Sequence, residues 1–170
     1  MNPMGSITST KDGGYVLTHE RTLARSPAQI WAALTDPQIL ARWLAHSEVD
    51  LRVGGKFVIF FFDGRETMSG VIQVLEHERL IEYTWVEDNS PQSRVRWTIA
   101  SEGEASLLTL THTLPAGTDP AVVIELGGGW HAILGHLDGA LRGEQANHDA
   151  ARLQALEKQY GDVFRQAGGA

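Results

Sequence analysis

Apolar residues recur along this chain in two rhythms, every second position through the middle and every third or fourth on either side of it. Residues 15–24 alternate, with Tyr15, Leu17 and Leu23 on one face, which predicts a first strand. Ser26-Pro27 then reads as a helix start, because serine can cap free N–H groups and proline at the first helical position loses no bond. Ile30, Trp31 and Leu34 follow at helical spacing. Asp36-Pro37 repeats the signal ahead of Ile39, Leu40, Trp43 and Leu44, so two short helices are expected after the first strand.

Alternation returns over residues 49–52 and 56–62, joined by the hairpin signal Gly54-Gly55. Further strands are predicted over 68–75, 80–86, 94–100 and 107–113, separated by turns at Asp63-Gly64, His77-Glu78, Asp88 to Pro91 and Gly103-Glu104. Ile81, Tyr83 and Trp85 share one face, and so do Val95, Trp97 and Ile99. Leu108 and Leu110 share theirs with His112. Half-polar alternation of this kind is that of an antiparallel sheet with one wet face. Residues 121–126 read as helical, and Leu126, Trp130, Ile133, Leu134, Leu137 and Leu141 then make one apolar stripe. Gly127, Gly128 and Gly129 interrupt it. Each costs about 1 kcal/mol against alanine, so a kink or break is expected there unless close packing compensates. A last amphipathic stretch, 146–164, carries Leu153, Leu156, Tyr160 and Phe164. It could be a dimer element or a helix packed on its own domain.

The expected fold is therefore α+β: an antiparallel sheet of about seven strands gripping a long C-terminal helix laid across it, with two short helices after the first strand. Its organisation reads as a flexible N-terminal segment over 1–14, a sheet-and-helix domain over 15–143 and a C-terminal helical extension over 144–170. Such a grip tends to leave a cavity between its two layers.

Composition changes the picture mainly by exclusion. At 170 residues the chain can bury a sizeable core without staples. It has no cysteine, hence no disulfide framework and no thiolate chemistry, which fits a cytoplasmic protein. Residues 1–14 lack the apolar core of a signal peptide, and no run approaches the roughly 20 apolar residues of a membrane span. The net charge is −7 and the 14 Lys and Arg are scattered, which argues against nucleic acid as partner.

Trp85, Trp97, Trp130, Tyr83 and Phe57 could line a ligand cavity or simply fill the core. With Trp43, Met68, Leu134 and Leu137 they form the candidate apolar lining. His112 shares the phase of Leu108 and Leu110, so it should point inward. It could orient a ligand, act as acid or base near neutral pH, or be a satisfied interior histidine. His131 and His136 are about 140° apart on a helix and cannot chelate one metal, and His19, His46, His77 and His148 are scattered. No cofactor is expected. Glu66, Glu82 and Glu125 could each serve as a general base, against the alternative of a solvated face. Glu82 alternates against Ile81 and Tyr83 and so belongs outside, while Glu125 is next to the glycine run at a possible cavity mouth.

Arg21-Thr22-Leu23 before Ser26-Pro27, the run from Ile30 through Pro37 to Arg42-Trp43, Arg52-Val53-Gly54-Gly55-Lys56-Phe57, and Gly129-Trp130 with Leu134, Leu137 and Leu141 together resemble a known family. In this order they resemble the START-like, birch-pollen-allergen-like helix-grip superfamily (SRPBCC). Within it they are similar to stand-alone homologues of the C-terminal domain of the heat-shock ATPase activator. The resemblance spans residues 15 to about 143. It implies a curved sheet around a long helix with an internal cavity. The full co-chaperone has a further N-terminal domain with no counterpart in these residues. The pocket aromatics and the lack of a catalytic signature favour binding of a small apolar or amphipathic molecule in the cavity. The alternatives are a polyketide cyclase/aromatase-type reaction or co-chaperone-like interaction with a heat-shock ATPase, with a homodimer as a further partner.

Overall fold

Both helix-start signals are realised as caps in the computed structural model, which describes residues 2–88 and 90–168. Ahead of α1 (Pro27–Thr35), Ser26 Oγ accepts from the Gln29 N–H and Gln29 Oε1 accepts from the Ser26 N–H, a reciprocal capping box. Asp36 caps α2 (Pro37–Trp43) through the Gln38 N–H.

The strands are β1 (Ser6–Ser9), β2 (Tyr15–Leu23), β3 (His46–Val49), β4 (Lys56–Phe61), β5 (Glu66–Glu76), β6 (Leu80–Trp85), β7 (Ser93–Glu102) and β8 (Ala105–Leu114). They form one antiparallel sheet in the order β1-β2-β8-β7-β6-β5-β4-β3. A register shift between Ile72 and Val74 bends β5. Beside it, Gly70 lets the β6 backbone come close, since a Cβ there would lie 2.2 Å from the Thr84 carbonyl oxygen. β6 is buried along its whole length.

The sheet has one strand more than the alternation predicts. Residues 6–9, expected in a flexible lead-in, pair instead with Thr18 to Tyr15 of β2. Four residues with a single apolar side chain, Ile7, are too short for periodicity to register. What holds them is the turn: Thr10 N–H donates to the Gly14 carbonyl, and Gly13 takes a left-handed φ of 87°.

α3 (Pro120–Leu134) is capped by Asp119, followed by the short α4 (Leu137–Leu141) and by α5 (Ala150–Gln166), capped by Asp149. α3 runs unbroken through Gly127, Gly128 and Gly129 and ends at Leu134, with Gly135 as its C-cap. Close packing compensates the glycines. A Cβ on Gly127 would lie 2.7 Å from the Tyr160 ring, and one on Gly128 would lie 2.9 Å from the Glu157 side chain. α5 thus lies directly on α3, with Leu156, Tyr160 and Phe164 buried. A smaller apolar cluster joins Tyr160 and Phe164 to Ile7, Leu17, Leu114 and Val123. The main core lies between the sheet and α1 to α4. No described helix is long and apolar enough to cross a membrane.

Candidate functional site

All ten candidate lining residues lie in the interior between the sheet and α2 to α4. Trp43, Phe57, Met68, Tyr83, Trp85, Trp97, Trp130, Leu134 and Leu137 belong to one apolar cluster. His112 contacts Trp85 and Trp130, with ring centroids 5.3 and 6.2 Å away. None of the ten is more than 5% exposed. Phe57 stacks on Tyr83 at 4.2 Å, and Trp97 meets Trp43 and Trp130 edge-on at 6.0 and 5.5 Å. Edge-to-face and offset contacts at these distances are favourable aromatic packing. The rings occupy the interior by packing on one another.

His112 is held by two hydrogen bonds. Trp130 Nε1–H donates to Nδ1 at 3.1 Å, and Nε2 lies 2.7 Å from Ser93 Oγ. Indole N–H is only a donor, so Nδ1 carries the lone pair and Nε2 carries the proton. Ser93 Oγ lies 3.5 Å from the Trp85 carbonyl and can pass the chain on. Burial, with a smaller contribution from the charge of His19, lowers the His112 pKa to about 3. The imidazole is neutral at physiological pH with both nitrogens occupied. Nearby, Trp97 Nε1–H donates to Tyr83 Oη at 3.0 Å, and burial pushes the Tyr83 phenol up.

Open space begins where this aromatic layer ends. A cavity of about 170 Å³ lies at the end of the sheet near the start of α3. Trp85, Leu114, Val122 and Leu126 give it apolar walls. Ser93, Glu87, Thr118 and Asp119 supply polar ones. Of the predicted lining residues, Trp85 borders this space. Its Nε1–H is buried and lacks a partner among the described residues. The Glu87 carboxyl is held above its usual range by burial, partly offset by the neighbouring Trp85 N–H and reinforced by Glu66. Among the described residues that approach does not reach hydrogen-bond geometry, and the Glu87 carboxyl is the polar group beside the indole N–H.

The remaining carboxylates fall elsewhere. Glu82 is on the outer face, as alternation predicts, but it is buried rather than solvated. Arg94 Nε lies 3.4 Å from one carboxylate oxygen, and Arg96 pairs with the other. Both arginines are on β7 beside it, so the cover comes across strands and is invisible along one. Glu125 is exposed on α3 and Glu66 is exposed at the start of β5.

Sequence reasoning passed over Glu87, Ser93 and Thr118. The available signal was turn chemistry, since Ser90-Pro91 and Gly117 to Pro120 bring two loops to one end of the sheet. It also passed over a second polar cluster on the far side of α3. Tyr160 Oη accepts from the Gly5 N–H at 2.7 Å and lies 3.1 Å from His19 Nε2 and 2.9 Å from His131 Nδ1. His19 Nε2 also lies 3.1 Å from the Gly127 carbonyl. Desolvation first, and neighbouring charge second, lowers His131 to about 4. His19 falls to about 4 as well, though there the Gly127 hydrogen bond opposes the burial. The phase of β2 pointed here, because His19 and Arg21 share a face with Leu17 and Leu23. Among the described residues no three His, Asp or Glu side chains converge in a way that could hold a metal ion.

A family model described as activator of Hsp90 ATPase homolog 1-like protein matches residues 24–142. No curated protein sequence matches the chain. Among solved structures, CalU16 from Micromonospora echinospora is similar at 23% identity and TM-score 0.75, over 96% of this chain and 94% of that one. EF2215 from Enterococcus faecalis, a protein of unknown function, is similar at 19% identity and TM-score 0.78, over 96% and 91%. An HSP90 activator from Plasmodium falciparum, PFC0360w, is similar at 25% identity and TM-score 0.64, over 75% and 96%.

Proposed function

Since the chain belongs to the family of activator of Hsp90 ATPase homolog 1-like proteins, we propose that it uses the family's sheet-and-helix scaffold to bind a small amphipathic molecule at the open end of the two layers. The observation that carries this reading is the buried Trp85 Nε1–H, without a partner among the described residues, on the wall of a cavity with mixed apolar and polar lining. A buried donor left unpaired costs about 1–3 kcal/mol, so a guest with an acceptor there recovers that cost. Leu114, Val122 and Leu126 would take its apolar part, and Ser93 and Thr118 offer hydroxyls for a second polar group. At about 170 Å³ the space is below the roughly 300–1,000 Å³ of sites for drug-sized ligands. The guest is therefore a one- or two-ring molecule, or a longer one that inserts only its apolar end. Burying about 150 Å² of apolar surface would yield roughly 4 kcal/mol, much of it consumed by association. Micromolar or weaker binding follows.

The test is a fluorescence titration with 2-naphthol, an apolar double ring carrying one hydroxyl. Saturable binding to the natural chain, lost in Leu126→Trp with the fold retained, is the expected result. No saturation in the natural chain, or equal affinity in the variant, overturns the reading.

A second reading, acid–base catalysis of the polyketide cyclase type, is favoured by one observation. Glu87 is the carboxyl at the cavity mouth whose pKa is raised by burial. It requires the Glu87 carboxyl, followed by carbon-detected NMR, to titrate above the ordinary carboxylate range. Titration in the ordinary range removes the candidate. Co-chaperone action like that of an HSP90 activator would instead use the outer surface. Capture of the ATPase by both the natural chain and Leu126→Trp would favour it. A cytoplasmic site of action suits a cysteine-free chain.

A further inference from the structure

A cleft of about 440 Å³ opens where the N-terminal segment meets α3 and α5, lined by Asn2, Met4, His131, Arg152 and Gln159. Among the described residues no carboxylate lines it, although the chain carries 21 acidic residues and a net charge of −7. Behind the wall lies Arg21, only 4% exposed. Its Nη1 donates to the Pro3 carbonyl at 3.1 Å, between the two lining residues Asn2 and Met4, and to the Glu20 carbonyl at 2.7 Å. Its Nε and Nη2 have no partner among the described residues. A buried charge without a counter-charge is costly, and native proteins normally pair it. Arg152 on α5 is exposed and, among the described residues, also forms no ion pair. Its guanidinium reaches the rim, since a Cβ on Gly135 would lie 3.4 Å from it and 3.3 Å from the Asn2 amide. His131 feels the charge of both arginines, which adds to burial in keeping its ring neutral.

Two cations without an ion-pair partner among the described residues therefore flank a cleft with amide donors at its edge and no described acid in its walls. We propose that this cleft binds a small oxyanion, a carboxylate or phosphate group, held by Arg152 and His131 with Arg21 as the buried counter-charge. Guanidinium groups match the planar or tetrahedral oxygens of such anions with paired hydrogen bonds. An anion in the cleft offsets the two arginines.

The experiment is an NMR titration of the full chain with inorganic phosphate and, separately, with acetate, at constant ionic strength set by sodium chloride. The His131 ring and the Arg21 side chain are observed. The expected result is saturable shifts at both residues with at least one oxyanion, the effective one naming the ligand class. Affinity should fall at least fivefold in Arg152→Ala, whose exposed side chain can be removed with the fold intact. Absence of saturation, equal shifts with chloride alone, or unchanged affinity in Arg152→Ala would overturn the proposal.

Discussion

Trp130 Nε1 donates to His112 Nδ1 at 3.1 Å and thereby fixes which nitrogen of a buried imidazole is bare. The bond crosses from α3 to β8, so it ties the helix to the sheet by a directional contact amid non-directional packing. Removing the ring in His112→Ala would leave the Trp130 N–H unpaired, take away the donor to the Ser93 hydroxyl oxygen and open a void. The expected cost is about 2–4 kcal/mol, from the unpaired groups and the lost packing. Urea unfolding should show a lower midpoint at unchanged slope, with a shift in tryptophan emission. A midpoint equal to that of the natural chain would show that the bond contributes nothing.

The same burial sets a pH dependence. The folded chain keeps His112 neutral down to about 3, and His19 and His131 down to about 4. An unfolded histidine protonates near 6.5. Above that pH both states carry neutral rings and stability does not depend on them. Below it the unfolded state binds more protons, so stability falls as pH falls through the window from about 6.5 to 4. One such histidine is worth about 1.4 kcal/mol per pH unit, and three act together here. Denaturant unfolding at pH 7.5 and 5 should therefore differ by at least about 2 kcal/mol, with the acidic sample weaker. Equal stability at the two values would mean that the rings are not held neutral.

The fold was legible because each long element repeats one period many times. Eleven residues of β5 and ten each of β7 and β8 leave little ambiguity of phase, and Ser26 and Asp36 announce their helices by local chemistry. What could not be read depends on a second segment. Glu82 has the right phase for the outer face, yet Arg94 and Arg96 on another strand decide that it is buried. The unbroken glycine run depends on Tyr160, more than thirty positions later. The inward phase of His112 was legible, but its partners come from β7 and α3. The ten lining residues were chosen by face, and face cannot tell a ring that fills space from one that borders it.

Leu134 tests that distinction directly. It is 4% exposed inside the aromatic cluster, whereas the cavity is walled by Leu126, about two turns earlier on α3. Leu134→Trp should then overpack the core and cost about 1–3 kcal/mol. Leu126→Trp, by contrast, has the cavity to enter and should stay close to the stability of the natural chain. Thermal unfolding of the two variants should place Leu134→Trp several degrees lower. The reverse order would relocate the open space to the interior of the cluster.

The glycine run gives the sharpest contrast, because three adjacent helical positions have different neighbours. Alanine is favoured over glycine by about 1 kcal/mol in a helix interior. At Gly129 an added Cβ meets nothing within 4 Å, so Gly129→Ala should realise that gain in part or whole. At Gly127 the same methyl would lie 2.7 and 3.0 Å from two atoms of the Tyr160 ring. That ring is fully buried and its hydroxyl is bonded to Gly5, so it cannot swing aside cheaply. Gly127→Ala should therefore destabilise by about 1–3 kcal/mol in spite of the helix preference, by forcing α5 away from α3. Urea unfolding of both variants measures the pair. Opposite signs locate the close approach at Gly127, whereas a stabilised Gly127→Ala would show that α5 does not rest on α3.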